Sequence, residues 1–320
     1  SKLAKDVRWS TFPAFSAGWR ISAEDFMKDS KNINDLKIRG SWGQVGNDEG
    51  IGDYAYLKLY QINAQGGISL SQPANENLTW EKTAQYNYGV DFAVLNNRIS
   101  GSLEYYTSKT TDLLLSRTIP TVSGFATTYA NVGSTEGNGV ELTLNTVNVK
   151  TSDFEWTSSL SGSWQKSRIV ELQNGAFDDI NNNRFIGQPQ GIIYGFASNG
   201  IWKPQDAAEM AKFNANSAGF SFGNARPVDQ NGDYKIDAND RVIIGSTEPK
   251  FVTGLTNTFN YKNFELSFFI YGRFNYLSSG GAENLSGKTS QRALDYYTEN
   301  NINAEYQKPI YSAATGDPYN

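Results

Sequence analysis

The sequence has 320 residues, a net charge of −5 and neither cysteine nor histidine. The absence of cysteine excludes disulfides and thiol chemistry, and the absence of histidine excludes Ser-His-Asp triads and histidine-ligated zinc. The acidic balance argues against nucleic acid as a partner, because a binder of the phosphate backbone needs a surplus of basic residues. Aromatic residues make up 13% of the chain, a content typical of β-sheet.

Period-two alternation of apolar and polar side chains predicts a series of long strands. In 84–95, for example, the aromatic and branched side chains all fall on one face. The predicted strands, in chain order, are 11–21, a strand from Leu36, 84–95, a strand from Ile99, 138–149, 153–167, 250–261 and 264–275. Most of them run for about 12 residues, which spans about 28 Å vertically at a tilt of ~45°. A hydrocarbon core is about that thick, whereas globular strands average about 5–6 residues.

The connections between these strands alternate in length. Short turns are predicted at 96–97, 150–153 and 262–263, and long connections at 47–83, 110–137, 168–249 and 276–320. Tight turns on one side and long loops on the other are typical of outer-membrane barrels. The pattern therefore predicts about eight antiparallel membrane-spanning strands.

The long connections have their own features. Short helices are predicted at 205–213, opened by Pro204, and at 289–298. The glycine-rich stretches 43–47 and 133–139 lack the Gly-Lys-Ser/Thr of phosphate loops, and we interpret them as bends where a strand leaves the sheet. Segment 168–249 is expected to form a large external loop region.

Five segments resemble the SusC/RagA-like TonB-linked outer-membrane proteins of Bacteroidetes, in that family's order. They are Phe12–Ile21, Leu36–Asn47, Leu78–Thr83, Asn131–Glu141 and Asp229–Arg241. The resemblance implies an all-β fold, an antiparallel transmembrane β-barrel segment with long external loops that is part of a 22-stranded plugged barrel. The plug domain and the final strands are not among these residues, so we expect 1–320 to be a partial barrel.

The same resemblance implies a function. It implies TonB-dependent import of a large nutrient, an oligosaccharide or a peptide, across the outer membrane of a Gram-negative cell. The implied partners are a SusD-like surface lipoprotein, the TonB complex acting through a further N-terminal part, the glycan or peptide cargo and outer-membrane lipid. No enzymatic activity and no required cofactor are expected.

Residues 229–240 resemble an EF-hand or dockerin-like calcium loop. The expected ligands, at positions 1, 3, 5, 7, 9 and 12, are Asp229, Asn231, Asp233, Lys235 through its carbonyl, Asp237 and Asp240. The pattern departs from the family at position 6, where Tyr234 replaces the turn glycine, and at position 12, where aspartate replaces glutamate. The alternative interpretation is a surface turn rich in Asp and Asn without a metal.

Tryptophans and carboxylates supply the remaining candidates. Trp80 and Trp202 lie in predicted loops and are candidates for contact with substrate or partner, whereas strand tryptophans are expected in an interfacial aromatic girdle. Glu104, Glu141 and Glu155 lie on polar strand faces and raise the alternative of a glycosidase. No flanking motif supports catalysis, so no catalytic residue is expected.

Two alternatives share the alternating pattern. A secreted or surface β-sandwich that binds carbohydrate would bury the apolar strand faces between two sheets. A passive porin would expose them to lipid without energy coupling. The direction in which the apolar faces point separates the sandwich from the barrel.

Overall fold

The computed structural model describes residues 2–62, 64, 66–120, 122, 124–125, 127–173, 175–278 and 295–308. Its strands are β1 (Ala14–Arg20), β2 (Ile33–Asn47), β3 (Leu59–Ile62), β4 (Ile68–Gln72), β5 (Glu81–Val94), β6 (Ile99–Thr111), β7 (Leu114–Thr118), β8 (Thr127–Asn131), β9 (Ser134–Lys150), β10 (Phe154–Glu171), β11 (Ile192–Phe196), β12 (Ser198–Ile201), β13 (Ala225–Pro227), β14 (Arg241–Ser246), β15 (Phe251–Tyr261) and β16 (Phe264–Phe274). The α-helix α1 is Ala207–Ala215, and 3-10 turns occupy Ile21–Ala23, Asp25–Met27, Ile180–Asn182, Pro204–Asp206 and Ala238–Asp240.

One eight-stranded sheet dominates the structure, in the order β1-β2-β5-β6-β9-β10-β15-β16. Every neighbouring pair is antiparallel. Seven of the eight strands have 11 to 18 residues, and β1 has 7. The sheet therefore confirms the eight long strands predicted from the alternation.

The turns and connections also follow the predicted alternation of lengths. Asn96 and Asn97, with φ of 57° and 60°, occupy the turn between β5 and β6, and Lys262 has φ 53° between β15 and β16. Asparagine tolerates this left-handed conformation better than most residues, which suits it to tight turns. The long connections hold the small hairpins β3–β4 and β7–β8 and the two-stranded sheets β11–β14 and β12–β13.

The register carries one apolar face across the whole sheet. Tyr88, for example, is paired with Tyr105, which is paired with Val140 on the next strand. Tyr88, Leu103 and Phe268 are 55%, 48% and 43% exposed. Within the described residues the other sheets have two strands each, and these side chains are not packed in a dry interior. The sandwich alternative is wrong, because an exposed apolar face of this extent needs lipid against it.

Aromatic side chains gather near both ends of this face. At the end that bears the long connections, Trp42 stacks on Phe15, with ring centroids 6.0 Å apart. Toward the tight turns, Trp156 stacks on Phe259, with centroids 5.5 Å apart, and Phe259 stacks on Phe268. Aromatic rings at the two edges of an apolar band are typical of membrane interfaces.

The buried cores lie in the connections rather than on the sheet. The chain forms two compact units, the first made of 1–190 with 248–276 and the second of 191–247 with the described part of 277–320. The core residues of the first unit are Leu3, Ile51, Ala55, Leu78 and Leu114. Those of the second are Trp202, Phe213, Phe220 and Ile236. The predicted loop region 168–249 is therefore divided between the units: 168–190 and 248–249 belong to the first, and 191–247 belong to the second.

The predicted bends at the glycine-rich stretches are wrong. Residues 43–47 belong to β2, and 134–139 belong to β9. The glycines there make room for rings: a Cβ at Gly139 would lie 2.7 Å from the ring of Tyr106, and one at Gly46 would overlap the ring of Phe12. Only Gly133, with φ 87°, turns the chain, directly before β9.

The predicted helix at 205–213 is confirmed as α1, which starts two residues later after the turn at Pro204–Asp206. The predicted helix at 289–298 lies outside the described residues up to 294. From 295 onward, Tyr296 and Thr298 form isolated β-bridges with Tyr306 and Asn301. Among the described residues, no helix combines the length and apolar character that a bilayer crossing requires.

The direction of the apolar face can be tested at the middle of β9. Leu142 lies on that face, paired with Leu103, and Thr143 follows on the opposite, polar face. We expect Leu142→Arg to destabilise the full-length protein by about 2–4 kcal/mol, because the guanidinium would enter the hydrocarbon. Thr143→Arg serves as the control and should cost less than about 1 kcal/mol. Denaturant unfolding in lipid vesicles measures both, and equal losses would contradict the assignment of the two faces.

Candidate functional site

A charged cluster crosses three strands on the polar face of the sheet. The register places Arg39 of β2, Gly89 of β5 and Glu104 of β6 in one row. The Arg39 Nε donates to both carboxylate oxygens of Asp91 at 3.2 Å, and its Nη2 donates to Glu104. The other Glu104 oxygen accepts a hydrogen bond from Asn87 Nδ2 at 3.2 Å. Both carboxylates are therefore held by one guanidinium.

Gly89 is what allows this cluster to form. A Cβ at that position would lie 2.8 Å from Cζ of Arg39, so any larger residue would displace the guanidinium. Charge-assisted bonds from a planar guanidinium to two carboxylates fix all three side chains in one geometry. The cluster thus ties β2, β5 and β6 together on the face opposite the apolar one. The pattern of alternation predicted polar residues here but not their pairing.

The other two carboxylates singled out from the sequence have different surroundings. Glu141 is the register neighbour of Glu104 on β9. Glu155, near the turn between β9 and β10, accepts a hydrogen bond from Lys150 Nζ at 3.1 Å. The structure thus brings Glu104 and Glu141 onto adjacent strands and leaves Glu155 at the turn end of the sheet.

A pocket of about 590 Å³ lies within the first unit, between the hairpin β7–β8 and the segment 172–184. Its lining residues are Leu115, Ser116, Arg117, Val132, Leu172, Gln173, Phe177, Asp178, Asp179, Ile180, Asn181 and Arg184. The volume is within the range of ligand sites, about 300–1,000 Å³. The lining combines two arginines and two aspartates with exposed apolar side chains, since Phe177 and Ile180 are 72% and 53% exposed.

Sequence reasoning missed this pocket. Its two walls are about 60 residues apart in the chain, and neither wall carries a motif or a periodic pattern. The one signal in the sequence is the charged run around Asp178, Asp179 and Arg184, which is indistinguishable from an ordinary solvated loop. Folding brings the two walls together, so the site exists only in three dimensions.

The segment 229–240 follows the path of a calcium loop. The two Asp229 oxygens accept the backbone N–H groups of Gly232 at 2.7 Å and Tyr234 at 2.8 Å. Asp240 is completely buried and accepts the N–H groups of Gln230 and Asp237, both at 2.8 Å. The first and last predicted ligands therefore already curl the backbone inward.

Tyr234 takes the place of the expected turn glycine without changing that path. Its φ is 58°, the left-handed conformation that glycine supplies at position 6 of such loops. One observation argues against a bound metal: among the described residues, no group of three or more acidic side chains is placed to hold an ion. Asp233 and Asp237 instead accept N–H groups of Lys235 and Asn239 at 2.8 Å. The backbone path therefore fits a calcium loop, whereas the positions of the carboxylates do not. Calcium binding stays a prediction.

The two tryptophans predicted to contact a ligand have different environments. Trp202 is completely buried, with its ring 5.6 Å from that of Phe213, so a ligand has no access to it. Its sequence position in a loop was misleading, because the loop folds around it as a core. Trp80 is half-buried, with its Nε1 donating to the Val7 carbonyl at 3.1 Å and its ring against Phe12. Its role in binding stays a prediction.

A wall of long antiparallel strands with one face for lipid and one for water defines a membrane β-barrel protein. The family model described as TonB dependent receptor-like, beta-barrel, matches residues 2–316. The chain belongs to this family, and the predicted antiparallel transmembrane β-barrel fold and the predicted outer-membrane localisation are confirmed.

Named relatives agree with the SusC/RagA-like resemblance. The chain is 34% identical over 325 residues to the TonB-dependent receptor SusC of Bacteroides thetaiotaomicron, covering 92% of this chain and 31% of that protein. It is 34% identical over 288 residues to the TonB-dependent receptor P26 of Formosa agariphila, covering 85% and 29%. The chain thus spans about 30% of the length of these curated relatives.

Solved structures show the same fold. The structure of the RagAB peptide importer in the 'open-open' state superposes with a TM-score of 0.74 at 23% identity, covering 98% of this chain and 35% of that one. A second structure, of the RagAB peptide transporter, gives a TM-score of 0.72 at 24% identity, covering 96% and 35%. At this identity the likeness concerns the fold alone.

The charged cluster can be tested with a double-mutant cycle. For Arg39→Gln and Glu104→Gln we expect a coupling of about 1–3 kcal/mol in the full-length protein, because both groups are half-buried and charge-assisted. The control cycle uses Lys150→Gln and Glu155→Gln, a more exposed pair at the turn end, and should give below about 1 kcal/mol. Unfolding in vesicles measures both cycles. A coupling for the Arg39 pair no larger than that of the control would show that the cluster does not hold the strands.

Proposed function

We propose that this chain forms part of the wall of an outer-membrane importer that takes up a large nutrient, an oligosaccharide or a peptide, with energy supplied through TonB. The observation that carries the proposal is a sheet with an exposed apolar face and a charged polar face, in a chain of the TonB-dependent receptor family. A polar inner wall lets hydrated cargo pass, while the apolar outer wall lies in lipid.

The two edge strands of the sheet support the proposal that it is part of a larger, closed barrel. β1 and β16 each have one strand neighbour among the described residues, so each has an edge free to pair. In lipid every unpaired backbone group costs several kcal/mol, and closure is the general solution for a membrane sheet. We propose the 22-stranded plugged class. Eight of 22 strands is about 36%, close to the 29–35% of relatives that the chain spans.

We propose a SusD-like surface lipoprotein as the partner that closes the external side, and the TonB complex as the partner on the periplasmic side. What supports this is the relationship to SusC and the fold shared with RagAB. The long connections, with their own hairpins and cores, give a surface on which such a lid can rest.

We propose that transport proceeds without bond cleavage in the cargo. Glu104, one of the carboxylates on the polar face, is bound by Arg39 and Asn87, and Glu155 is bound by Lys150. A glycosidase needs one free carboxylic acid and one free carboxylate on opposite sides of the scissile bond. The pairing of these groups favours a structural role over catalysis.

Energy coupling distinguishes the proposal from a passive porin. We expect deletion of the full-length gene from its host to abolish uptake of labelled oligosaccharides or peptides above porin size. Complementation should restore that uptake, and collapse of the proton gradient should abolish it again, because TonB draws on that gradient. Uptake of a small sugar through general porins is the control. Restored uptake that continues without the gradient would support the porin alternative.

We also propose that the loop 229–240 takes up Ca²⁺ as a structural ion. Its support is the backbone path, with Tyr234 at φ 58° and the buried Asp240 at position 12. The proposed ligands are the oxygens of Asp229, Asn231, Asp233, Lys235, Asp237 and Asp240. Ile236 lies between them in the aromatic core of the second unit, so an ion would stabilise that core.

Calcium binding can be measured by titrating terbium, and then competing calcium, into the full-length protein. We expect Asp229→Ala and Asp237→Ala each to weaken binding at least about tenfold, because each removes one hard oxygen ligand. Asp153→Ala, at an exposed turn of the sheet, is the control and should leave the affinity unchanged. The absence of a site sensitive to either substitution would leave the loop as a turn without metal.

A further inference from the structure

Charged side chains on the apolar face of the eight-stranded sheet occur only toward the long connections. In the part of the chain that the structure describes, the register assigns six charged strand positions to that face, and none lies toward the tight turns. Two are carboxylates, Glu136 of β9 and Glu171 at the end of β10. The other four are cations, here called the basic rim: Lys82 of β5, Lys109 of β6, and Lys166 and Arg168 of β10.

The basic rim lies just beyond the outer aromatic rings of the apolar face. Arg168 follows Trp164 by four residues along β10, and Lys109 follows Tyr105 by four residues along β6. Four residues of a strand tilted by ~45° rise about 9 Å. Aromatic side chains mark the boundary of the hydrocarbon, so cations at this height lie in the layer of the lipid headgroups. Because the long connections of outer-membrane barrels are external, that layer belongs to the outer leaflet.

One carboxylate holds two cations of the rim side by side. Glu136 is paired with Lys109 on one neighbouring strand and with Arg168 on the other. Its Oε1 lies 3.5 Å from Lys109 Nζ, and its Oε2 accepts a hydrogen bond from Arg168 Nη2 at 2.8 Å. The Lys109 and Arg168 side chains are nevertheless 53% and 57% exposed. A guanidinium has five N–H donors and an ammonium has three, so most donors of both are available to a ligand.

The other two cations of the rim are held more loosely. Lys82 Nζ is 3.5 Å from Asp112 Oδ2, and both side chains are partly exposed. Lys166 is exposed, and its ammonium has neither an ion pair nor a hydrogen bond with any residue that the structure describes. Exposed ion pairs contribute little to stability, because ordering two long side chains offsets most of the Coulomb energy. Folding stability alone therefore does not explain four cations on a face that is otherwise apolar.

Neutral hydrogen-bonding side chains lie among these cations. Asn138 of β9 is paired with Thr107 on β6 and with Lys166 on β10. Amide and hydroxyl groups can bond to the hydroxyls of a sugar, whereas guanidinium and ammonium groups match phosphate in charge and in donor geometry. The rim therefore complements a headgroup that carries both phosphate and sugar.

We propose that the basic rim binds the headgroup of a phosphorylated glycolipid in the outer leaflet. The phosphate competes with the Glu136 carboxylate for the donors of Lys109 and Arg168, Lys166 adds a further positive charge, and Asn138 bonds to the sugar. The acyl chains continue along the apolar face, which already lies against lipid. The inference goes beyond import, because it uses only the barrel wall and its location in the outer membrane, and it holds for any cargo.

The test is native mass spectrometry of the purified full-length protein in detergent. The probe is a lipid A that carries phosphate on its glucosamine disaccharide. Two comparison probes are the same lipid A after enzymatic dephosphorylation and phosphatidylglycerol. We expect dephosphorylation to weaken binding at least about tenfold, because it removes the charge that the rim recognises. Phosphatidylglycerol, which has a phosphate but no sugar, should bind at least about fivefold more weakly than lipid A. Inorganic phosphate, which lacks acyl chains, should not displace lipid A at equal concentration.

A neutral variant of the rim locates the site. Lys109→Gln/Lys166→Gln/Arg168→Gln should weaken lipid A binding at least about tenfold, because each cation at an anionic lipid surface contributes about fivefold. A circular dichroism spectrum and a heat-modifiability gel, both unchanged from wild type, show that the variant is folded.

A matched control removes two lysines and one arginine elsewhere, as Lys150→Gln/Lys262→Gln/Arg273→Gln. All three side chains are exposed. Lys150 and Lys262 lie at the tight turns, and Arg273 lies on the polar face of β16. The control loses the same charge as the rim variant and should leave the affinity for lipid A unchanged.

Glu136→Gln distinguishes a ligand site from an ion pair that serves the fold alone. Without the carboxylate, Lys109 and Arg168 lose the group that competes with phosphate. We therefore expect Glu136→Gln to bind lipid A about threefold to fivefold more tightly than wild type. An ion pair that only joins the strands predicts no gain in affinity.

Three results would overturn the inference: equal binding of phosphorylated and dephosphorylated lipid A, equal losses in the rim variant and its control, or no tighter binding after Glu136→Gln. Phosphatidylglycerol binding as tightly as lipid A would assign the rim to a phospholipid and contradict the glycolipid. Displacement of lipid A by inorganic phosphate at equal concentration would reduce the rim to a site for free anions.

Discussion

The sheet meets lipid on one face and water on the other. Apolar and polar side chains must therefore alternate along all eight strands, because successive side chains point to opposite faces. The register keeps this rule unbroken across the sheet, so that Tyr88, Tyr105 and Val140 share one face while Arg39 and Glu104 share the other. A slip of one residue in any pair would send a charge into lipid and a ring into water. Register, more than any single contact, therefore holds this structure to one arrangement.

The two faces of the sheet differ in how closely their side chains pack. On the polar face, Gly89 leaves room for the guanidinium of Arg39, and Gly139 leaves room for the ring of Tyr106. Lipid-facing side chains need no such complementarity, and they remain exposed in the protein itself. The buried cores accordingly lie in the connections, where small clusters give the loops fixed shapes. Fixed loops on a rigid wall are where binding sites are expected, as the pocket beside β7 illustrates.

Strands such as 84–95 and 138–149 were predictable because alternation is a local property, written in consecutive residues. The short turn at Asn96 and Asn97 was predictable for the same reason. The bends proposed at 43–47 and 133–139 failed because glycine has two uses, to turn a chain and to admit a neighbour's side chain. Nothing local distinguishes the second use, since the ring of Phe12 that Gly46 accommodates lies more than 30 residues away in the chain.

By itself, the sequence determined the strand number, the alternation of short and long connections and the family, because these depend on periodicity and on ordered motifs. Tertiary structure decided which side chains meet. It paired Arg39 with Glu104 across 65 residues, enclosed Trp202 in a core and brought Arg117 and Arg184 to one pocket. These contacts join segments that are distant in the chain. Strand register and side-chain packing determine which residues meet, and neither can be deduced from a short stretch of consecutive residues.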